Sequence, residues 1–351
     1  MRILFLPRYS PRGASSRYRI WQYVPLFEHA GHQVAVYPLL DDSYLEDLYK
    51  TGRRPWWPLA FGYGRRILRA LRIGNFDAVI SEQEMLPFLP NFIENSLQRR
   101  NSRFFVDYDD NAYSKYSGWP TLRQRIPQIM AAAETVVVGN GYLADYARQF
   151  SQRVRVIPTV VDLSRYPERS TTTITDIIRV VWIGTPVTAH LLKALFPVMK
   201  RLKARHSKLR FRFVGAGNDF PTDGLGAEVL PWAEETETQL LSECDIGIMP
   251  LPDTEFTRGK CGLKLIQYMA CGLPVVASPV GVNREIVEEG TNGYVASSDD
   301  EWFQKLDELV QSPELRMNLG RSGRTKVAAS YTLKYGFSRW QEILERKAVF
   351  D

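Results

Sequence analysis

The sequence predicts an α/β protein with two doubly wound parallel-sheet domains, and three observations predict it. Short apolar runs alternate with helical stretches, the pattern of βαβ units with helices on both faces of a sheet. The alternation stops once. From Val161 to Thr175 the chain is polar and holds Pro167, Ser170 and the triplet Thr171-Thr172-Thr173, which is linker composition. Finally, 351 residues with 44% apolar content are enough for two cored domains.

In the first half, Arg2 to Leu6 reads as a strand, Arg17 to His29 as a helix with Ile20, Val24 and Phe27 on one face, and Gln33 to Tyr37 as a second strand. Further strands are expected at Ala78–Ile80, Phe104–Val106, Thr135–Val138 and Val154–Ile157. After the linker they resume at Arg179–Gly184, Arg210–Gly215, Asp245–Pro250 and Pro274–Ser278. Ser298-Asp299-Asp300-Glu301 has capping-box spacing, so a helix starts there. The expected division is an acceptor-binding domain over 1–163, a linker over 164–177, a donor-binding domain over 178–334 and a C-terminal helix over 335–351 that packs back on the first domain.

Composition excludes several classes. No run of about 18 apolar residues exists, so no bilayer span is expected, and the N-terminal apolar stretch is too short for a secretion signal. Cys244, Cys261 and Cys271 have no metal-ligand spacing and are too few for a disulfide framework, which fits a reducing cytoplasm. The net charge is +6. Between Asp47 and Asp77 there is no acidic residue, while Lys50, Arg53, Arg54, Arg65, Arg66, Arg69 and Arg72 stand among Trp56, Trp57, Phe61 and Tyr63. Such a stretch, 50–72, suits the inner face of an anionic membrane. A solvated helix from Gly64 to Ile73, behind a Pro-rich loop that packs its tryptophans, is the plainer account. Nucleic acid is not expected as a partner.

In doubly wound sheets a ligand lies beyond the carboxyl ends of the strands, and two such domains leave a cleft between them. The loop after Met249 is the most informative. A helix starting near Lys260 or Cys261 would bury Leu263, Ile266 and Ala270, with Gly272 as its C-cap and Pro274 just beyond. Lys260, Lys264 and Gln267 would share the opposite side. A helix N-terminus disfavours lysine by about 0.3–1 kcal/mol, yet Arg258, Lys260 and Lys264 crowd this one. Glu255 can pair with one of them. Backbone N–H groups, a glycine pair and three cations make a site for a multiply charged anion; a solvated lysine face is the alternative.

These residues carry a resemblance. Met269-Ala270-Cys271-Gly272-Leu273-Pro274-Val275-Val276-Ala277-Ser278 and Val280-Gly281-Val282-Asn283-Arg284-Glu285-Ile286-Val287 are similar to the donor-domain signature of retaining GT-B glycosyltransferases of the family 4, group 1 type. Glu289 to Tyr294, Val214-Gly215-Ala216-Gly217, Ile157 to Asp162 and Ala30 to Val34 resemble that group too. The resemblance implies GT-B architecture, two Rossmann-like domains, and a nucleoside diphosphate sugar as donor, UDP before GDP, with no required metal. It implies that Cys261, Gly262 and Leu263 hold the diphosphate, with Gly184 and Thr185 close to it, and that Trp232 stacks on the base or merely packs. The family has two glutamates where this chain has Gly259 and Gln267. Glutamine can still hydrogen-bond a ribose diol, and Glu255 or Asp253 can be imagined reaching the sugar. The family's phosphate-binding arginine and lysine are replaced by the loop Gly184 to Thr188, so Lys260 and Lys264 are expected to supply the clamp.

In the first half, the loop Pro7 to Arg19 stands where the family has its acceptor loop, with Gly13, Arg17 and Arg19 as candidate acceptor contacts; structural salt bridging is the competing account for the two arginines. Asp107-Tyr108-Asp109-Asp110 follows a strand, where the family often has histidine. Asp109 is the candidate catalytic carboxylate beside Lys260 and Lys264, and Asp110 a candidate acceptor contact; a carboxylate metal triplet or simple capping also fits. The expected function is transfer of a sugar to a glycan or lipid-linked acceptor in cell-surface polysaccharide synthesis. A nucleotide-sugar epimerase or hydrolase, or a non-catalytic nucleotide-sugar-binding protein, are the alternatives.

Overall fold

The computed structural model describes residues 1–51, 55–167 and 176–345. Arg53 and Arg54 of the basic stretch, Ser170 and Thr171 to Thr173 of the linker and 346–351 of the C-terminal helix lie outside the described residues, as does the side chain of Lys50. The chain divides into two units. The first comprises Met1–Thr159, Arg258–Cys261 and the chain from Leu333, the second Val160–Thr257 and Gly262–Thr332.

The first unit is built on strands β1 (Arg2–Leu6), β2 (Gln33–Val36), β3 (Ala78–Glu82), β4 (Phe104–Tyr108), β5 (Thr135–Val138) and β6 (Val154–Val156), in the order β2-β1-β3-β4-β5-β6. All neighbours are parallel. Every residue of β3, β4 and β5 is buried, because helices cover both faces of the sheet. The second unit repeats the plan with β7 (Ile178–Ile183), β8 (Leu209–Val214), β9 (Glu228–Leu230), β10 (Ile246–Met249), β11 (Val275–Ala277) and β12 (Gly293–Val295), ordered β12-β11-β10-β7-β8-β9 and again parallel. Val180, Phe211, Ile248 and Val276 are among the fully buried residues of its core. The chain therefore has the expected α/β fold.

Several local expectations are corrected. The helix expected over Arg17–His29 is three pieces, Ala14–Arg19, the tight turn Trp21–Tyr23 and Val24–His29. Pro25 lacks an N–H and is tolerated only in a first turn, so the chain restarts its helix around it. The helix expected from Gly64 runs from Trp56 to Ala70 instead, since Pro55 precedes it and Pro58 sits in its first turn, where no N–H partner is needed. Strands β9 and β12, three residues each, are too short to show a period. The capping box at Ser298 is present, with Ser298 accepting from the Glu301 N–H at 3.3 Å and Glu301 from the Ser298 N–H at 3.1 Å. Helix Leu333–Glu345 belongs to the first unit, where Phe337 packs on Phe27 at 4.9 Å between ring centres.

Candidate active site

In the second sheet the strand order reverses between β7 and β10, so its switch point lies at their carboxyl ends. Helix Leu263–Ala270 follows β10, and Gly184 follows β7. The helix starts later than its cations suggested. Gly262, at φ +69°, is its N-cap, and a Cβ there would meet Ile286 at 2.2 Å. Lys260 is therefore not on the helix at all. Lys264 is in its first turn, with Nζ 4.3 Å from the centre of the Trp182 ring. A Cβ on Gly184 would lie 3.0 Å from that Nζ and 2.4 Å from the ring. Only glycine lets lysine, indole and loop share the place, so Gly184 and Lys264 do come together. Gly215, at φ +75°, brings the loop after β8 equally close, since its Cβ would meet the Gly184 oxygen at 2.3 Å. Thr185 is half-buried beside them, its N–H 3.3 Å from Thr188 Oγ1.

Glu237, absent from the sequence reading, organises the neighbouring loop. Buried in helix Glu234–Ser242, its carboxylate accepts the Trp232 indole N–H at 2.7 Å, a Gln267 amide N–H at 2.7 Å and the Tyr166 hydroxyl at 3.3 Å. Trp232 is thus a half-buried ring fixed through its nitrogen. Gln267 is buried, and its amide serves Glu237 rather than pointing freely toward a diol. A glutamate at 267 would set two buried carboxylates at hydrogen-bond distance. Gln267→Glu should therefore lower stability by about 2–3 kcal/mol at neutral pH, and by less in acid, where one carboxyl takes a proton. Thermal melting near about pH 5 and about pH 8 reads this; an unchanged melting point at both would contradict it.

The segment Arg258–Cys261 belongs to the first unit. Asn140, after β5, donates its amide to the Gly259 and Lys260 oxygens, each at 3.0 Å. The buried Cys261 thiol donates to the Asp109 oxygen at 3.0 Å, and burial pushes its pKa well up. A Cβ on Gly259 would lie 2.8 Å from Asn111 Cβ and 2.9 Å from its nitrogen, so this backbone has no room for the family's glutamate. Lys260 pairs with Asp110 at 2.7 Å. The expectation that Lys260 and Lys264 share one helix face is corrected accordingly: the helix begins at Leu263, after Lys260. Arg258 ends the short helix Glu255–Arg258.

Around β1, β3 and β4 the first sheet has its own switch point. Glu82 ends β3 and is buried, its Oε2 accepting hydrogen bonds from Ser16 and the Arg8 N–H. Ser15 Oγ is 2.6 Å from Glu82 Oε1 and 2.6 Å from Asp109 Oδ2. A hydroxyl has one proton to give. One of the two contacts therefore needs a protonated carboxyl, and burial together with the Asp109 charge raises the Glu82 pKa. Gln83, held at φ +55°, donates to Asp109 Oδ1 at 3.3 Å. Neither Glu82 nor Gln83 was singled out from sequence, although carboxyl-end position on a strand was the available signal.

Arg19 is buried and forked on Asp107, with Nε–Oδ2 at 2.8 Å, and gives a third hydrogen bond to the Ile157 oxygen. Gly13 makes room for Tyr9, whose Cβ would stand 2.4 Å from an added Cβ. Arg17 is buried, its guanidinium 4.9 Å from the Tyr18 ring centre. Asp107, Asp109 and Asp110 face Arg19, Ser15 and Lys260 respectively, and among the described residues no three His, Cys, Asp or Glu side chains form a metal-ligand group.

Because Glu82 has a raised pKa in the folded chain, its stabilising protonated form is complete below the ordinary carboxyl range and is lost as pH rises through the folded value. Glu82→Gln should flatten this loss. Melting temperatures of both proteins from about pH 5 to about pH 8 test it, and parallel curves would contradict it.

Residues 178–312 match the family described as Glycosyl transferases group 1. A D-inositol 3-phosphate glycosyltransferase of Geodermatophilus obscurus is 28% identical over 217 residues, covering 52% of this chain and 46% of that protein. The chain spans less than half the length of the curated relatives it matches. Among solved structures, Anabaena Alr3699/HepE in complex with UDP-glucose aligns with TM-score 0.73 and 16% identity, over 98% of this chain and 99% of that one. Sucrose-phosphate synthase from Thermosynechococcus elongatus aligns with TM-score 0.69 and 15% identity, over 98% of each. Residues 178–312 are therefore a group 1 glycosyl transferase domain, carried by a chain with the GT-B fold.

Proposed function

We propose that this chain transfers a sugar from a nucleoside diphosphate sugar, UDP-linked before GDP-linked, to an acceptor hydroxyl with retention of configuration. The observation that carries the reading is Lys264 held against Gly184 and Trp182 at the switch point of the second sheet. A cation there meets a diphosphate that also reaches the first-turn N–H groups of helix Leu263–Ala270. HepE, solved with UDP and with UDP-glucose, supports a nucleotide-sugar donor. The acceptor oxygen forms a bond to the anomeric carbon as the bond to the diphosphate breaks, and its proton passes to the leaving oxygen. The chain stabilises charge on the diphosphate and positions the acceptor, with no metal required.

For the acceptor side, the Glu82–Ser15–Asp109 group is the candidate, Asp109 orienting the hydroxyl and Asp110 with Lys260 completing the polar wall. A glycan or lipid-linked acceptor in surface polysaccharide synthesis suits the family, and a cytoplasmic site of action suits three buried cysteines held outside any disulfide. Thermal-shift screening against UDP, GDP, dTDP and their sugars is the direct test, since a ligand of the native state raises its melting point by mass action. Stabilisation by a nucleoside diphosphate, with slow release of it from the matching sugar, is the expected result. Absence of any shift would overturn the donor assignment.

A further inference from the structure

Helix Trp56–Ala70 carries its polarity inside out. Its inner face holds Gly62, Arg66 and Ala70, all buried. Arg66 donates to the Leu6 and Pro7 oxygens at the end of β1, and a Cβ on Gly62 would lie 2.4 Å from the Leu39 oxygen, so the helix is seated closely. Trp57, Phe61, Gly64, Leu68 and Leu71 follow at spacings of four and three, one stripe on the outer face. Trp56, Trp57, Phe61 and Leu68 are 82, 86, 68 and 67% exposed. Tyr63 of the same helix donates to the Pro87 oxygen at 2.7 Å, and Phe88 and Phe92 are exposed too.

Cations border this stripe. Arg65 lies over the Phe61 ring, Arg69 over Tyr37, and Arg72 is exposed at the helix end. Arg100 donates to the Leu71 oxygen at 3.1 Å, adding another guanidinium there. No acidic residue occurs from 48 to 76. A specific protein interface carries about one hydrogen bond per 100–200 Å², but the side chains of the stripe offer only the Trp57 indole N–H. A surface without directional groups, flanked by arginines and with tryptophans at one end, matches a fluid anionic one. No helix among the described residues is long and apolar enough to cross a membrane.

We propose that the outer face of helix Trp56–Ala70 docks on an anionic phospholipid surface, with Trp56 and Trp57 at headgroup depth and the arginines over the phosphates. The full chain, with neither donor nor acceptor added, is sedimented with phosphatidylcholine vesicles with and without phosphatidylglycerol. Binding to the anionic vesicles only, weakened by salt and accompanied by a blue shift of tryptophan emission, is expected. Trp57→Ser/Phe61→Ser should reduce binding by about ten-fold or more, and Arg72→Gln roughly five-fold, with melting unchanged because these side chains are exposed. Three outcomes overturn the proposal: no capture by anionic vesicles, capture of both variants equal to wild type, or a wild-type dimer abolished by the double variant with no vesicle capture. Because the readout is binding alone, its failure leaves the transferase reading intact.

Discussion

Lys264→Ala is expected to lower the rate of sugar transfer by about two to three decades while moving the melting point little. The reasoning starts from burial. Lys264 is half-buried and stacks on Trp182, a contact worth about 0.5–2 kcal/mol, which sets the scale of the stability loss. In the proposed reaction the larger loss falls on the step in which charge accumulates on the departing diphosphate. A positioned cation is worth about 3–4 kcal/mol there. Lys264→Arg restores the charge but brings a planar fork into a space where Gly184 already has no room for a methyl group, so only partial recovery is expected. Steady-state transfer, or donor hydrolysis where the acceptor is unknown, provides the measurement. Near-normal turnover in Lys264→Ala would sink the assignment.

Arg19→Met is expected to have the largest effect on stability, about 3–5 kcal/mol, because it strands Asp107. Both side chains are buried, and Asp107 already has its pKa raised by burial against the pull of Arg19. Without the guanidinium that pKa rises further. The stabilising protonated form is then complete in acid and lost as pH rises through the folded value, so the variant should be nearest wild type at low pH. Arg19→Met/Asp107→Leu should recover most of the loss, since a buried pair replaced by apolar groups is often neutral. Urea unfolding at several pH values distinguishes these cases. If Arg19→Met melts like wild type but transfers slowly, the arginine serves a ligand and the structural assignment fails.

Much of the fold was legible because parallel strands covered on both faces must be continuous apolar runs, as Phe104-Phe105-Val106 and Val136-Val137-Val138 are. The Ser298 capping box was legible because its partners are three residues apart. Lys264 was legible as an ill-placed charge at a helix start. Partners far apart in sequence were not. Glu237 meets Gln267 across 30 residues, Ser15 meets Asp109 across 94, and Cys261 meets Asp109 across 152. Arg19 read equally as an anion contact or as half of a structural salt bridge, because a sequence shows the cation at a loop but not the carboxylate waiting beneath it. Gly259 looked like a lost catalytic side chain; its packing on Asn111 shows a steric demand at the same position.

The excursion of Arg258–Cys261 into the first unit has a bearing on how this protein can be cut and recombined. A sequence-defined domain over 178–312 contains three residues, Gly259, Lys260 and Cys261, whose hydrogen-bonding partners Asn140, Asp109 and Asp110 are encoded elsewhere. A chimera that exchanges the second half at the linker would import a foreign strap against native asparagines and aspartates. Donors of such a segment must match at 109–111 and 140 as well as at the junction, so these positions constitute a compatibility code between halves that would otherwise look interchangeable.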